Sequence, residues 1–199
     1  MIQRKQFDII YKSNRKYLQG PDVFDATLEW LSNIEVEVKD IDFTFHRLAF
    51  KQVEAVMGDA LPDSANSLAE CRYTVSGYSK IVHIVETDLA VTTSRIFPEN
   101  DIIDAISYDL SAQRSVYNKE NNFSNMEIWV AMTKALHQKV FADLKGKWLF
   151  VRGRFPQYSL KKSRKKHTVA IAASFGGKLT RSEVFLNDMR VGEIFFSIT

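Results

Sequence analysis

An α+β fold, with two antiparallel β-meanders and helices packed on one face of a single compact domain, is predicted by three stretches of this sequence. Residues 71–97 and 147–198 each break into short β-rich runs separated by turn residues. Between them, Ser124-x-x-Glu127 spells a capping box ahead of an apolar helical stripe. Runs of strands and runs of helices that do not alternate regularly are the pattern of α+β rather than α/β chains.

Taken in order, residues 3–18 carry Phe7, Ile10, Tyr11, Tyr17 and Leu18 at loosely helical spacing, with FDIIY fitting a short strand equally well. Gly20-Pro21 interrupts the chain. Asp22 is placed to cap a short helix that brings Val23, Thr27, Leu28 and Leu31 to one face. Ile34, Val36 and Val38 then alternate with charged residues, as in a half-buried strand. Ile41, Phe43 and Phe45 resume the alternation after a one-residue shift at Asp40, the signature of a tight turn or bulge. Ala49, Val53, Val56 and Met57 return to helical spacing, with Gly58 as the stop. Residues 59–67, with Pro62, form a loop.

CRYTV, SKIVHIVE and LAVTTSRIF make the central meander, turning at Ser76-Gly77 and Thr87-Asp88. Pro98 opens a short helix carrying Ile102, Ile103, Ile106 and Leu110, and 113–123 is polar and loop-like. The helix over 125–144 puts Ile128, Met132, Ala135, Leu136 and Val140 on one stripe and stops at Gly146. In the last quarter, strands 147–155 and 167–175 flank a basic loop. Gly176-Gly177 supplies a hairpin turn, 178–186 runs back, Asn187-Asp188 turns, and 190–198 closes the chain. The domain reading is one unit, 1–199. It comprises an N-terminal helical or strand segment (1–67), a central meander with helices (68–146) and a C-terminal meander with a basic hairpin (147–199).

Composition sets the class. The chain has 199 residues, 45% hydrophobic and 26% charged, as in ordinary globular proteins. A single Cys71 precludes an internal disulfide. No apolar run suits a signal peptide or a membrane helix, so a cytoplasmic protein is expected. No nucleotide-binding glycine motif, GxSxG or HExxH is present, and neither cofactor nor metal is expected.

Charge is unevenly placed. From Lys145 to Arg181 there are 11 Lys/Arg and no Asp/Glu, leaving 16 bases against 24 acids elsewhere, a net of −8. Such polarity presents a positive face to an anionic partner. The candidate contact residues are Arg152, Arg154, Tyr158, Lys161, Lys162, Arg164, Lys165, Lys166, His167, Lys178 and Arg181. With cations to neutralise phosphates and Tyr158 to stack on bases, they suggest a nucleic-acid-binding (DNA or RNA) accessory or assembly protein rather than an enzyme. The same ribbon docking on an acidic protein surface, in a structural or adaptor subunit, is the alternative, with an oligomer or larger complex as the setting.

An enzymatic alternative rests on Pro21-Asp22 followed by Glu37-Val38-Lys39, which spells the PD…ExK pattern of Mg²⁺-dependent nucleases, with Glu35 as a further candidate carboxylate. That chemistry needs the carboxylates to share a metal. His46, His83, His137 and His167 are scattered without metal-ligand spacing, and Cys71 lacks a local histidine, so a buried thiol is expected. Trp129 and Trp148 read as core anchors.

Arg95-Ile96-Phe97-Pro98, followed by Gly177-Lys178 and Ser182-Glu183-Val184-Phe185-Leu186, faintly resembles chorismate lyases and related ligand-binding domains. The resemblance implies a small-molecule enzyme with that fold and a role for Glu183 on the ligand. The arginine that family carries in its first strand is replaced here by Gly77 or Ser79.

Overall fold

Alternating apolar side chains build most of this protein into antiparallel strands. The computed structural model describes residues 2–58, 67–160 and 166–199. The chain divides into two units, Met1–Phe97 and Pro98–Thr199.

In the first unit, β1 (Gln3–Gln6) and β2 (Tyr11–Lys12) precede α1 (Gly20–Ile34). Then come β3 (Lys39–Phe45), β4 (Lys51–Met57), β5 (Ala69–Val75), β6 (Tyr78–Ala90) and β7 (Ser94–Arg95). Five of these strands pair antiparallel in the order β1-β4-β6-β5-β3, while β2 and β7 form a small parallel pair. α1 buries Val23, Phe24, Thr27, Leu28 and Leu31, and the Phe24 ring meets Phe43 of β3 at 5.3 Å. Phe43, Val53, Ala55, Cys71, Val82 and Ile84 complete a dry core.

Several expectations change here. The segment around Phe7–Tyr11 holds two short strands and no helix. Gln19 is the N-cap of α1, and Asp22 lies inside the first turn, where its Oδ1 accepts from the buried Lys12 Nζ at 2.6 Å. The Lys12 ammonium also sits 4.3 Å from the Phe97 ring centroid. Ile34 ends α1 instead of starting a strand, and Val36 is fully exposed. The expected shift at Asp40 is a real irregularity: its φ is 49° and the β3–β5 register jumps between Lys39 and Asp42. Residues 51–57 form β4 and not a helix, because hydrogen bonding to β1 and β6 on both sides overrides an ambiguous apolar spacing. The turn at Ser76-Gly77 forms, but β6 runs straight through Thr87-Asp88.

The second unit contains α2 (Glu99–Ile103), β8 (Ile106–Asp109), β9 (Arg114–Tyr117), α3 (Asn125–Val140), β10 (Trp148–Phe155), β11 (His167–Phe175), β12 (Leu179–Leu186) and β13 (Met189–Ile198). Its sheet order is β10-β13-β12-β11-β9-β8, antiparallel throughout. The last-quarter meander forms as expected, with turns at Gly176-Gly177 and Asn187-Asp188, all four residues at positive φ. Ile106 sits on a strand and not in the helix after Pro98, and the polar 113–123 stretch contains β9. The α+β antiparallel character therefore holds, but the eleven antiparallel strands among the thirteen described exceed two meanders. Among the described residues no helix is long and apolar enough to cross a membrane.

Candidate functional site

α3 is the element that positions the site. Ser124 Oγ accepts from the Glu127 amide at 3.1 Å, and Glu127 Oε2 accepts from the Ser124 amide at 2.7 Å, so the expected capping box fixes where the helix begins. From there α3 is buried on nearly every side, packing on β9, β10, β11 and α2. The apolar stripe through Ile128, Met132 and Leu136 is one of two buried stripes. Asn125, Trp129, Thr133 and His137 lie at i, i+4, i+8 and i+12 and form the other.

At its N-terminal end, Asn125 Nδ2 donates to the Ser159 carbonyl at 3.1 Å, which turns Oδ1 toward His167 Nε2 at 2.9 Å. A ring nitrogen facing an amide oxygen carries the proton, so Nε2 donates and the imidazole lone pair lies on Nδ1. Both side chains are buried. Around them stand Trp129 (ring centroids 5.9 Å from His167), Tyr117 (6.1 Å from His167), and Phe155 and Tyr158 against Trp129 at 5.8 and 6.3 Å. Gly192 on β13 permits this packing: a Cβ there would stand 2.4 Å from a Phe155 ring carbon and 2.5 Å from the Arg154 carbonyl oxygen. The result is a histidine of fixed tautomer beside the positive end of a helix dipole, walled by aromatic rings.

Three turns further along, His137 Nδ1 meets the Thr133 carbonyl at 2.5 Å and Nε2 meets Thr180 Oγ1 at 2.6 Å. A carbonyl can only accept, so Nδ1 carries the proton and Nε2 accepts from the threonine. Trp148, Phe196 and Phe141 close over the ring. Burial lowers the His137 pKa to about 4, keeping it neutral. Ser115 and Ser182, on β9 and β12, are also wholly buried, and neither hydroxyl has a hydrogen-bond partner among the described residues.

Among the described residues, the predicted contact positions do not share one surface. Lys161, Lys162, Arg164 and Lys165 lie outside the described residues. Lys166 is bound to both Asp188 carboxylate oxygens at 2.9 and 3.1 Å. His167 and Tyr158 belong to the aromatic site just described. Arg152, Arg154 and Arg181 lie on the outer face of the sheet, and Lys178 follows the Gly176-Gly177 turn at the sheet's opposite end.

Among the described residues the nuclease set does not assemble into a metal site, and Asp22 and Glu37 are each bound to a lysine. Asp22 and Glu35 bracket α1, thirteen residues or roughly 20 Å apart at 1.5 Å per residue, too far to share a metal. Glu35 instead accepts from Lys80 Nζ and the Tyr73 hydroxyl, while Lys39 pairs with Glu37. Glu183 is bound to Arg190 on the outer sheet face. Among the described residues no group of three His, Cys, Asp or Glu side chains is arranged to hold a metal ion. Cys71 is buried, with its pKa raised by desolvation, an inert thiol as expected.

Comparison with known proteins gives no match to any family model or curated sequence. Solved structures do match. The tesB protein of Mycobacterium avium subspecies paratuberculosis aligns over 98% of this chain and 93% of its own, with TM-score 0.56 and 9% identity. The dehydratase domain of PpsC from Mycobacterium tuberculosis, solved in complex with C12:1-CoA, aligns over 100% and 93%, with TM-score 0.55 and 10% identity. A Thermobifida fusca protein assigned as a thioesterase II aligns over 100% and 93%, with TM-score 0.51 and 9% identity. The fold is that of hotdog thioesterases and dehydratases, in which a helix lies against an antiparallel sheet, as α1 and α3 do in their own units. This likeness overturns the nucleic-acid-binding accessory function, the adaptor alternative, and nucleic acid or an acidic protein as the principal partner. The geometry explains the error: charge density along the sequence took no account of Lys166 being ion-paired and His167 being interior.

Proposed function

We propose that this chain is an enzyme acting on acyl thioesters, with the Asn125–His167 end of α3 as its reaction centre. The observation that carries the proposal is the likeness of the whole chain to a thioesterase-type protein and to a dehydratase domain holding an acyl-CoA. The buried, tautomer-fixed histidine supports it independently. Buried polar groups cost stability unless hydrogen-bonded, and this one meets an amide, a helix N-terminus and aromatic walls together.

In this reading, His167 Nδ1 takes a proton from water or from the substrate carbon next to the thioester carbonyl. Asn125 holds the ring, and the first turn of α3 favours the negative charge that develops on the carbonyl oxygen. Trp129, Phe155 and Tyr158 accept the apolar part of the acyl group. In hydrolysis, water oxygen bonds to the carbonyl carbon, the carbon–sulfur bond breaks, and the thiolate leaves and is protonated.

The test is thiol release from a panel of acyl-CoAs, together with hydration of enoyl-CoAs followed by ultraviolet absorbance. His167→Gln should lower kcat by roughly 100-fold or more, the usual weight of a general base. Far-ultraviolet circular dichroism should confirm an unchanged fold. No turnover of any thioester by the wild type, or full activity in a folded His167→Gln variant, overturns the assignment.

A further inference from the structure

The sheet of the second unit has two ends. His167, Asn125 and the start of α3 stand at one. The last turns of α3, the 141–147 loop and the Gly176-Gly177 turn stand at the other, where His137 reaches Thr180 and Leu144 reaches the turn. The length of α3, 16 residues or roughly 24 Å, separates the two.

At the second end Phe175 and Leu179 face each other across the turn as a cross-strand pair. Leu144 closes on the turn from the helix side, its Cδ1 3.8 Å from where a Cβ on Gly177 would stand. All three side chains are well exposed, Phe175 at 54%, Leu144 at 41% and Leu179 at 37%. The backbone that presents them is fixed. The Lys178 amide donates to the Phe175 carbonyl at 3.2 Å, and Gly176 and Gly177 supply φ values of 58° and 68°.

The charges beside this apolar tip are cationic. Lys145 adjoins Leu144 and Lys178 adjoins Leu179; both are exposed, and neither ammonium is ion-paired among the described residues. The sequence holds no carboxylate from 145 to 181, and the one acid of the 141–147 loop is Asp143. The exposed Phe50 and Leu89 of the first unit differ, because the charges near them pair with each other as Arg47–Glu86 and Lys51–Asp88. A second copy of the chain is a poor match for the tip. A stable dimer buries about 800 Å² on each partner, more than three half-exposed side chains supply, and face-to-face copies would set lysine against lysine. A bilayer asks for less: a few apolar side chains entering the headgroup region, and lysine stems lying over apolar surface with their ammonium groups at acidic headgroups.

We infer that this end of the second unit docks on an anionic lipid surface, with Phe175, Leu179 and Leu144 entering the interface and Lys145 and Lys178 meeting acidic headgroups. Docked this way, the His167 end stays clear of the bilayer. The inference does not depend on which reaction the chain performs.

Two measurements on the full chain test it. The first is co-sedimentation with vesicles of phosphatidylcholine alone and with about one-third phosphatidylserine. Binding is expected on the anionic vesicles only, and added salt should weaken it. Phe175→Ser and Lys145→Gln/Lys178→Gln should each weaken it by about 10-fold or more, while Asp143→Asn should strengthen it by about threefold. These positions are exposed, so urea midpoints should stay unchanged. The second uses Phe175→Trp, whose emission should shift to the blue with anionic vesicles by more than that of the wild type. No sedimentation with anionic vesicles, binding that survives both the serine and the glutamine variants, or no added blue shift overturns the inference. Concentration-dependent self-association that Phe175→Ser abolishes, without vesicle binding, makes a second copy the occupant and overturns it equally.

Discussion

The two units lay a helix against an antiparallel sheet in chemically opposite ways. Between α1 and its sheet the buried groups are Val23, Phe24, Leu28 and Leu31 facing Phe43, Val53, Ala55 and Ile84, and the one polar side chain of the helix stripe, Thr27, bonds back to the Val23 carbonyl. Between α3 and its sheet the buried groups include Asn125, Thr133, His137, Ser115, His167, Thr180 and Ser182. An apolar seam gains from every side chain removed from water, whereas a polar seam gains only where donors and acceptors meet. The first unit's layer is therefore built from apolar contact, and the second unit's layer is where buried polar groups are held. A similar fold can host both because the hydrogen-bonded sheets set the architecture and leave the seam free to vary.

The comparison breaks most severely if the apolar seam proves tolerant. Phe24→Ala removes a wholly buried ring packed on Phe43 and should destabilise the protein by about 3–5 kcal/mol, read as a shifted midpoint in urea. A loss below about 1 kcal/mol would mean that this layer relaxes around the cavity, and the contrast between the units would lose its basis.

pH sharpens the contrast next. His137 has a folded pKa of about 4 against an ordinary value near 6.5, because burial disfavours the cation. The unfolded chain therefore binds the proton more readily than the folded one. Its contribution is fully present above pH 6.5 and is lost as pH falls through 4, amounting to about 3 kcal/mol over that window. Urea midpoints measured from pH 7 to pH 4 should fall accordingly. His137→Phe, an aromatic of similar shape among Phe141, Trp148 and Phe196, should flatten this slope. An unchanged slope in that variant would move the titration elsewhere, for instance to His83, whose pKa burial also lowers.

Much of the second unit could be read from residue order. Gly176-Gly177, Asn187-Asp188 and the Ser124–Glu127 capping box are local signals, and local signals place turns and helix starts. The first unit was less legible because β4 is short, its apolar residues Val53, Ala55, Val56 and Met57 fit a helical spacing as well as a strand, and its pairing is fixed by partners distant in sequence. The site was hidden for a related reason. Asn125 and His167 are 42 positions apart and meet only when α3 lies on β11. A trace was nonetheless present: Asn125, Thr133 and His137 fall on one four-residue repeat, shared with Trp129, in the helix. Attention to the apolar stripe of Ile128, Met132 and Leu136 passed over it.

The smallest expected effect probes what the polar seam contains. Ser182 is wholly buried on β12, and its hydroxyl has no hydrogen-bond partner among the described residues. A hydroxyl desolvated without a partner is a net cost, so Ser182→Ala should be neutral or stabilising by up to about 1 kcal/mol. Ser115 on β9 has the same standing, and Ser115→Ala should behave alike. Thr180 supplies the control: its hydroxyl donates to His137, so Thr180→Val keeps shape, removes that bond and should destabilise by about 1–2 kcal/mol. If Ser182→Ala instead destabilises as much as Thr180→Val, the hydroxyl has an internal partner, and an ordered water bridging the strands to α3 is the group that fits. The seam would then be hydrated within, and the contrast between the units would extend from the identity of their side chains to the presence of water.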